Sequence, residues 1–170
     1  MIVVLVNGLP GAGKTTLARS LARELALPLF CKDDLKETLA DTLGPGDREW
    51  SRALGRAAAE SMWTLLGQAT GGAVLESLWL GLRPVVEEGL ARAGVSEVVE
   101  VWCEVPVEVA RSRYGRRTRH PIHPYDDNWA FWEKHAEPLG LGVVHKVDTT
   151  RPVEISDLAA LCRNPRRSPA

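Results

Sequence analysis

Eight residues near the start of the chain, Gly8 to Thr15 within the stretch NGLPGAGKTT, carry the densest chemistry in the sequence. They fit G-x-x-x-x-G-K-[ST] throughout, the pattern in which a glycine-rich turn points successive backbone N–H groups at an anion. A helix that starts where the turn ends adds its partial positive charge. In such a cradle Lys14 reaches the β- and γ-phosphates of a nucleotide and the Thr15 hydroxyl ligates Mg²⁺. Gly8, Pro10, Gly11, Ala12, Gly13 and Thr16 complete the expected contacts. A tight turn alone needs no Lys-Thr pair at the helix start, so ATP with Mg²⁺ is the expected cofactor pair.

CKDDLKE, Cys31 to Glu37, supplies two adjacent carboxylates after a short apolar run. Open α/β proteins hold ligands at the carboxyl edge of the sheet, where such a carboxylate accepts a proton from a substrate hydroxyl. Aspartate is also a favoured helix N-cap. With two available, Asp33 is read as the base and Asp34 as the cap or a supporting partner. Glu76 ends the stretch AVLE and stands either beside metal and substrate or in solvent. Arg83, just before Pro84, either reaches the acceptor pocket or is an ordinary surface arginine. Asp33, Lys36, Glu76 and Arg83 are the expected substrate contacts.

The segment ARSRYGRRTRHPIHPYDD, Ala110 to Asp127, holds Arg111, Arg113, Arg116, Arg117, Arg119 and two histidines before its first acid, Asp126. Arginines there bind ATP phosphates and neutralise the transferring group, which is worth on the order of 10³ or more in rate. The alternative is a solvated helix face with a loop that attracts nucleic acid. Arg113 and Arg116 share an i, i+3 relation that Arg111 lacks, so Arg111 is read as solvent-facing. His120 and His123 suit a shaped turn better than a metal site, because no third ligand is close in sequence.

These groups need elements to position them, and the hydrophobic pattern supplies an alternation. Ile2 to Val6 suits a buried strand, and Leu17, Leu21 and Leu25 repeat on one helical face. Leu27 to Phe30 is a second strand, followed by a short helix from about Leu35 to Asp41 and a turn at Gly44 to Gly46. Arg48 to Leu66 is a long alanine-rich helix, and Ala73 to Glu76 a third strand. Pro84 to Ala93 is a helix, Glu97 to Val105 a fourth strand, and Pro106 opens another helix. Asn128 to His135 is a short helix, Gly142 to Asp148 a fifth strand and Val153 to Leu161 a last helix. Such alternation means parallel βαβ units in a three-layer α/β fold. Arg116 to Asp127 has no apolar period, as expected of a lid.

A chain of 170 residues suits one domain, and at that size roughly 70% of the unfolded surface can be buried. Residues 1–162 are expected to form it, with a frayed basic tail over 163–170. The net charge of -1 argues against a dedicated nucleic-acid binder. The apolar start is broken by Asn7 and Gly8, short of the ~20 residues of a membrane span, so a cytoplasmic protein is expected. Cys31, Cys103 and Cys162 are widely spaced and read as buried apolar thiols, with neither disulfide nor zinc. Trp50 and Trp79 fit either a planar acceptor pocket or the core.

NGLPGAGKTTLARSLARELALPLFCKDDLKE resembles the opening of the P-loop kinases of the AAA-type ATP-binding group, which includes chloramphenicol phosphotransferase, zeta toxins and the kinase domain of polynucleotide kinase. The resemblance runs over nearly the whole chain. It implies a five-stranded P-loop NTPase sheet of order 2-3-1-4-5 under an arginine-rich lid. It assigns the general base to Asp33, the strand-3 acid to Glu76 and the arginine seven residues later to Arg83. Lys14 with the lid arginines Arg113 and Arg116 completes the implied catalytic set, and RHPIH resembles the R-H-P-x-H turn of small bacterial members. Arg119 joins the nucleotide contacts, and VDTTRP, with Arg151, resembles the segment bordering the adenine ring. Strand 3 ends in glutamate where aspartate is more usual, so the metal is assigned to Thr15 alone.

The expected activity is therefore transfer of the γ-phosphate of ATP to a hydroxyl of a small molecule such as a nucleoside, sugar or antibiotic-like metabolite. The alternatives are a polynucleotide 5′-hydroxyl kinase and a nucleotide-dependent binding module without transfer.

Overall fold

Ile2 to Val6 is β-branched or leucine at every position, a composition that suits a strand covered on both faces. The computed structural model, which describes residues 1–123 and 128–165, forms strand β1 over Ile2–Gly8, buried from Val3 onward. Around it lie β2 (Leu29–Cys31), β3 (Gly72–Glu76), β4 (Val99–Glu104) and β5 (Val143–Asp148). All pairings are parallel, and the order is β2-β3-β1-β4-β5. This is the order that the family resemblance implied.

Successive side chains of β1 point to opposite faces and so divide the core in two. Val4 and Val6 pack with Leu17 and Leu21 of α1 (Lys14–Leu25) and Leu158 of α7 (Ile155–Arg163). Val3 and Leu5 pack with Met62 and Leu66 of α3 (Arg48–Gln68) and with Val86 and Leu90 of α4 (Arg83–Arg92). Helices on both faces make the three-layer arrangement that the alternation predicts. Trp79 stacks at 5.6 Å on Trp63 within the second layer and is a core residue. Trp50 is half-buried, and its Nε1 donates to the Gly44 carbonyl at the turn before α3.

One boundary differs in a way that matters. Helix α2, Lys32–Leu43, begins directly after β2 instead of near Leu35. Its N-cap position is Cys31, which makes no side-chain cap bond, so neither aspartate is the cap. Asp33 and Asp34 occupy the first turn, where the positive end of the helix dipole favours carboxylates. Helix α5 spans Val107–Arg116 and α6 spans Trp129–Lys134. The last four residues of the expected lid, 124–127, and residues 166–170 of the expected tail lie outside the described residues. Arg163 is still helical, at the end of α7.

Candidate active site

The loop between β1 and α1 is held in shape from several sides. A Cβ on Gly11, at φ +81, would lie 2.3 Å from the Ala110 carbonyl oxygen of α5, so only glycine allows that approach. The backbone N–H of Gly8 donates to Asn7 Oδ1 at 2.9 Å, and the Asn7 amide donates to Glu100 Oε1 at 3.0 Å. Glu100 is fully buried but well satisfied, for it also accepts from Leu139 N and Gly140 N, each at 2.9 Å. The loop thus rests on a buried polar network that reaches β4. Thr149 ties its other side, donating to the Ala12 carbonyl at 2.7 Å.

Helix α1 starts at Lys14, and its N-cap position, Gly13, offers no side-chain cap. Its first N–H groups therefore have no side-chain acceptor, as an anion slot requires. Lys14 is buried with its Nζ donating to the carbonyls of Gly8 and Leu9, both at 3.0 Å. Thr15 Oγ1 donates to Glu76 Oε2 at 3.2 Å. The Cys31 thiol donates to the same oxygen at 2.9 Å, and burial, then the Glu76 charge, pushes this thiol far above its ordinary pKa. Cys31 is therefore a neutral donor that orients a carboxylate, a role that its place in sequence did not suggest. Hydroxyl and carboxylate oxygens are the hard ligands that Mg²⁺ takes, so the residues present fit that ion.

A cleft of about 960 Å³ opens over the loop and runs between α1, α2 and α3. Pro10, Gly11, Gly13, Lys14, Thr15, Thr16, Asp33, Lys36, Glu76, Arg113 and Arg119 all line it. Gly8 and Ala12 lie buried beneath the loop. Asp33 is exposed in the cleft, whereas Asp34 is not among the cleft residues and pairs with Arg19 at the cleft's edge at 3.0 Å. Lys36 is buried, donates to Ser51 Oγ at 2.8 Å, and has its pKa lowered by burial and by Lys32.

Arg113 approaches Thr149, donating from both terminal nitrogens to its carbonyl at 3.2 Å. Arg116, expected beside it, folds back on Ser112 and is not among the cleft residues. Arg117 lines the cleft instead, because the chain leaves the helix there in an extended conformation. Arg119 stacks on Tyr114 at 4.7 Å and bonds its hydroxyl. Arg83 lies away from the cleft, held by Glu87 and by the Leu139 carbonyl at 2.7 Å. Arg151 is 76% exposed and pairs with Asp148 at 3.0 Å, also outside the cleft. Arg111, read as solvent-facing, is only half so, pairing with Glu133 and lying 5.0 Å over the Trp129 ring.

His123 N donates to the His120 carbonyl at 3.0 Å, which closes the turn expected there. The turn docks on the two helices beside the cleft. His120 and His123 bond Asp41 and Glu37 of α2, both at 3.0 Å, and Ser51 of α3 donates to the Ile122 carbonyl at 2.7 Å. Ile122 is buried with Ala40 and Leu54. Sequence reading expected Leu39 to Arg56 to border the acceptor pocket but did not single out Arg48, Arg52 and Arg56, which line the cleft from α3; their four-residue spacing was the available signal.

A P-loop at the centre of a 2-3-1-4-5 sheet, with a carboxylate after β2 and arginines after α5, defines a P-loop kinase fold. The chain belongs to the AAA domain family, whose model matches residues 3–139. It is similar to a solved protein from Chloroflexus aurantiacus j-10-fl, described provisionally as a kinase, at 30% identity and TM-score 0.76 over 95% of this chain and 96% of that one. A sugar kinase from Janibacter sp. HTCC2649 shares the fold at TM-score 0.62 and 23% identity, over 95% and 92% of the two chains. Shikimate kinase from Acinetobacter baumannii, solved with shikimate, shares it at TM-score 0.60 and 18% identity, over 94% and 89%. A stretch of 44 residues, 26% of this chain, is 48% identical to a cytidylate kinase from Pyrobaculum islandicum, and the match spans 24% of that relative's length. Among the described residues no helix is long and apolar enough to cross a membrane.

Proposed function

We propose that the protein is an ATP-dependent phosphotransferase that moves the γ-phosphate of ATP to a hydroxyl of a small molecule. The observation that carries this reading is Asp33, exposed in the same cleft as Lys14 and Thr15. A nucleotide switch has no need of a base facing an acceptor.

In this reading the acceptor hydroxyl oxygen attacks the γ-phosphorus in line. Its proton passes to Asp33, and the bond from the γ-phosphorus to the oxygen bridging the β-phosphate breaks as ADP departs. Lys14 exchanges its bonds to the Gly8 and Leu9 carbonyls for phosphate oxygens. Arg113, Arg117 and Arg119 supply charge over the transferring group, and Thr15 with Glu76 would hold Mg²⁺. When bound with the nucleotide, the ion would supply charge neutralisation of its phosphates. Positioning and electrostatics carry the rate.

Asp33→Asn tests the assignment, because it keeps the size but cannot take a proton. It should retain fold and ATP affinity and lose about 10² to 10⁴ in turnover. Asp34→Asn, which breaks only a half-exposed ion pair, should cost far less. Normal transfer by Asp33→Asn would remove Asp33 as the base, and binding of ATP by the parent with no transfer to any hydroxyl acceptor would leave a nucleotide-dependent binding module as the better reading. The polynucleotide 5′-kinase reading gains from the basic lining of the cleft, and binding that weakens steeply with salt would favour it.

A further inference from the structure

Arg48, Arg52 and Arg56 stand four residues apart on α3 and therefore lie one above another along a single face. All three line the cleft that contains Asp33, in a row ~12 Å long at 1.5 Å per residue. Like charges at this spacing destabilise a helix, and Arg48 sits at the first helical position, where the dipole disfavours a cation. Although Glu49 shares the first turn and Asp33 and Glu37 line the same cleft, none of the three arginines has a hydrogen bond or ion pair among the described residues. Glu60, one turn beyond Arg56, is taken by Arg92 at 2.8 Å.

A further cation lies beneath the row, beside the cleft carboxylates Asp33 and Glu37. Lys36 is buried there, and among the described residues its ammonium bonds the Ser51 hydroxyl and no carboxylate. Gly55 stands between Arg52 and Arg56, and a Cβ on it would meet only the Lys36 stem at an ordinary 4.0 Å. Alanine would fit and would favour the helix, so glycine here leaves room in the cleft at the expense of stability. A neutral acceptor would leave this charge unpaired, whereas guanidinium forks match the oxygens of phosphate and carboxylate.

We propose that the acceptor is itself an anion: a small hydroxyl-bearing molecule whose phosphate monoester or carboxylate is held by Arg48, Arg52 and Arg56 while its hydroxyl faces Asp33. The proposal rests on the phosphotransferase reading and names its substrate class. A small anion is favoured over a polynucleotide because the turn at 120–123 ties α2 to α3 through Glu37, Asp41 and Ser51, which closes that flank to a continuous strand.

The test fills the P-loop of the full chain with Mg²⁺ and the β,γ-imido analogue of ATP, then titrates inorganic phosphate while backbone amide shifts are followed by NMR. Saturable shifts over residues 48–59 are expected, with the dissociation constant raised at least about ten-fold in the Arg52→Gln/Arg56→Gln double variant. No saturable shift, or equal affinity in the double variant, overturns the proposal. Should the double variant fail to fold, Arg48→Gln and Arg56→Gln singly carry the same comparison. If the imido analogue does not bind, the phosphotransferase reading fails, while shifts on α3 that depend on the arginines still report the anion site. A second arm compares a hexose, its phosphate and its aldonate with a 5′-hydroxyl oligonucleotide as acceptors. Preference for the phosphate or the aldonate, lost in the variants, supports the proposal and tells the two oxyanions apart. Preference for the neutral hexose or the oligonucleotide overturns it.

Discussion

The Thr15 hydroxyl donates to the Glu76 carboxylate at 3.2 Å, joining the first turn of α1 to the end of β3. Because the Cys31 thiol bonds the same oxygen, Glu76 is aimed at the loop and not at solvent, although it lies 61 residues from Thr15 in sequence. Glutamate is one methylene longer than the aspartate more usual at this place, and it spans the gap to the threonine.

Glu76→Gln should therefore fold normally and bind ATP without metal much as the parent does. The Mg²⁺ concentration that half-saturates phosphotransfer should rise by about 10- to 100-fold, the usual consequence of losing a group that holds or orients a metal ligand. A titration of activity against Mg²⁺ checks this, and an unchanged midpoint would remove Glu76 from the metal's surroundings.

Lys14→Ala should abolish transfer and weaken nucleotide binding but leave the protein folded. The substitution removes two charged hydrogen bonds to the loop, a loss of about 1.5–3 kcal/mol each. Domain stabilities of about 5–15 kcal/mol absorb that. Calorimetry with ATP and a urea midpoint by circular dichroism measure the two effects separately, and a collapsed spectrum would show that Lys14 is structural.

Trp132 should report ligand binding. It lines the cleft and meets Tyr114 edge-on at 5.6 Å, while Trp129 is buried beside it at 5.1 Å. Tyr114 is also stacked on Arg119, which lines the cleft, so rearrangement of Arg119 over a nucleotide should disturb all three rings. Fluorescence should change on adding ATP with an acceptor and should lose most of that response in Trp132→Phe. An unchanged signal in the parent would argue that α6 and the 116–123 segment stay fixed through the cycle.

Acid should destabilise the fold through His123. Burial lowers its pKa from the ordinary 6.5 despite Asp33 and Glu37 nearby, and burial lowers His145 likewise. The unfolded chain then binds the proton more readily, so stability is full above about pH 6.5 and falls as pH drops towards the folded-state values. Urea midpoints between pH 7.5 and 5.5 should decline in the parent, and His123→Gln should flatten part of the slope. An equal slope in the variant would assign the decline elsewhere.

Much of this protein was legible in one dimension because the relevant signals are local. Strand and helix periods alternate along the chain, and Gly8 to Thr15 shapes its own backbone, so the α/β layering and the phosphate loop needed no distant contact. The strand order agreed with the family resemblance, which carries information that periodicity lacks. What only the tertiary structure decided is which side chains face one another. Arg116 and Arg117 are neighbours in sequence, yet one turns back on its helix while the other lines the cleft, since each helical residue advances by about 100° and the helix ends between them. Arg83 has the family's spacing from Glu76 but is drawn to Glu87 and the Leu139 carbonyl. Cys31 reads as a core thiol until β2 and β3 bring it opposite Glu76 in register. Spacing along a chain determines which face of one element a residue occupies; the packing of elements determines what that face meets.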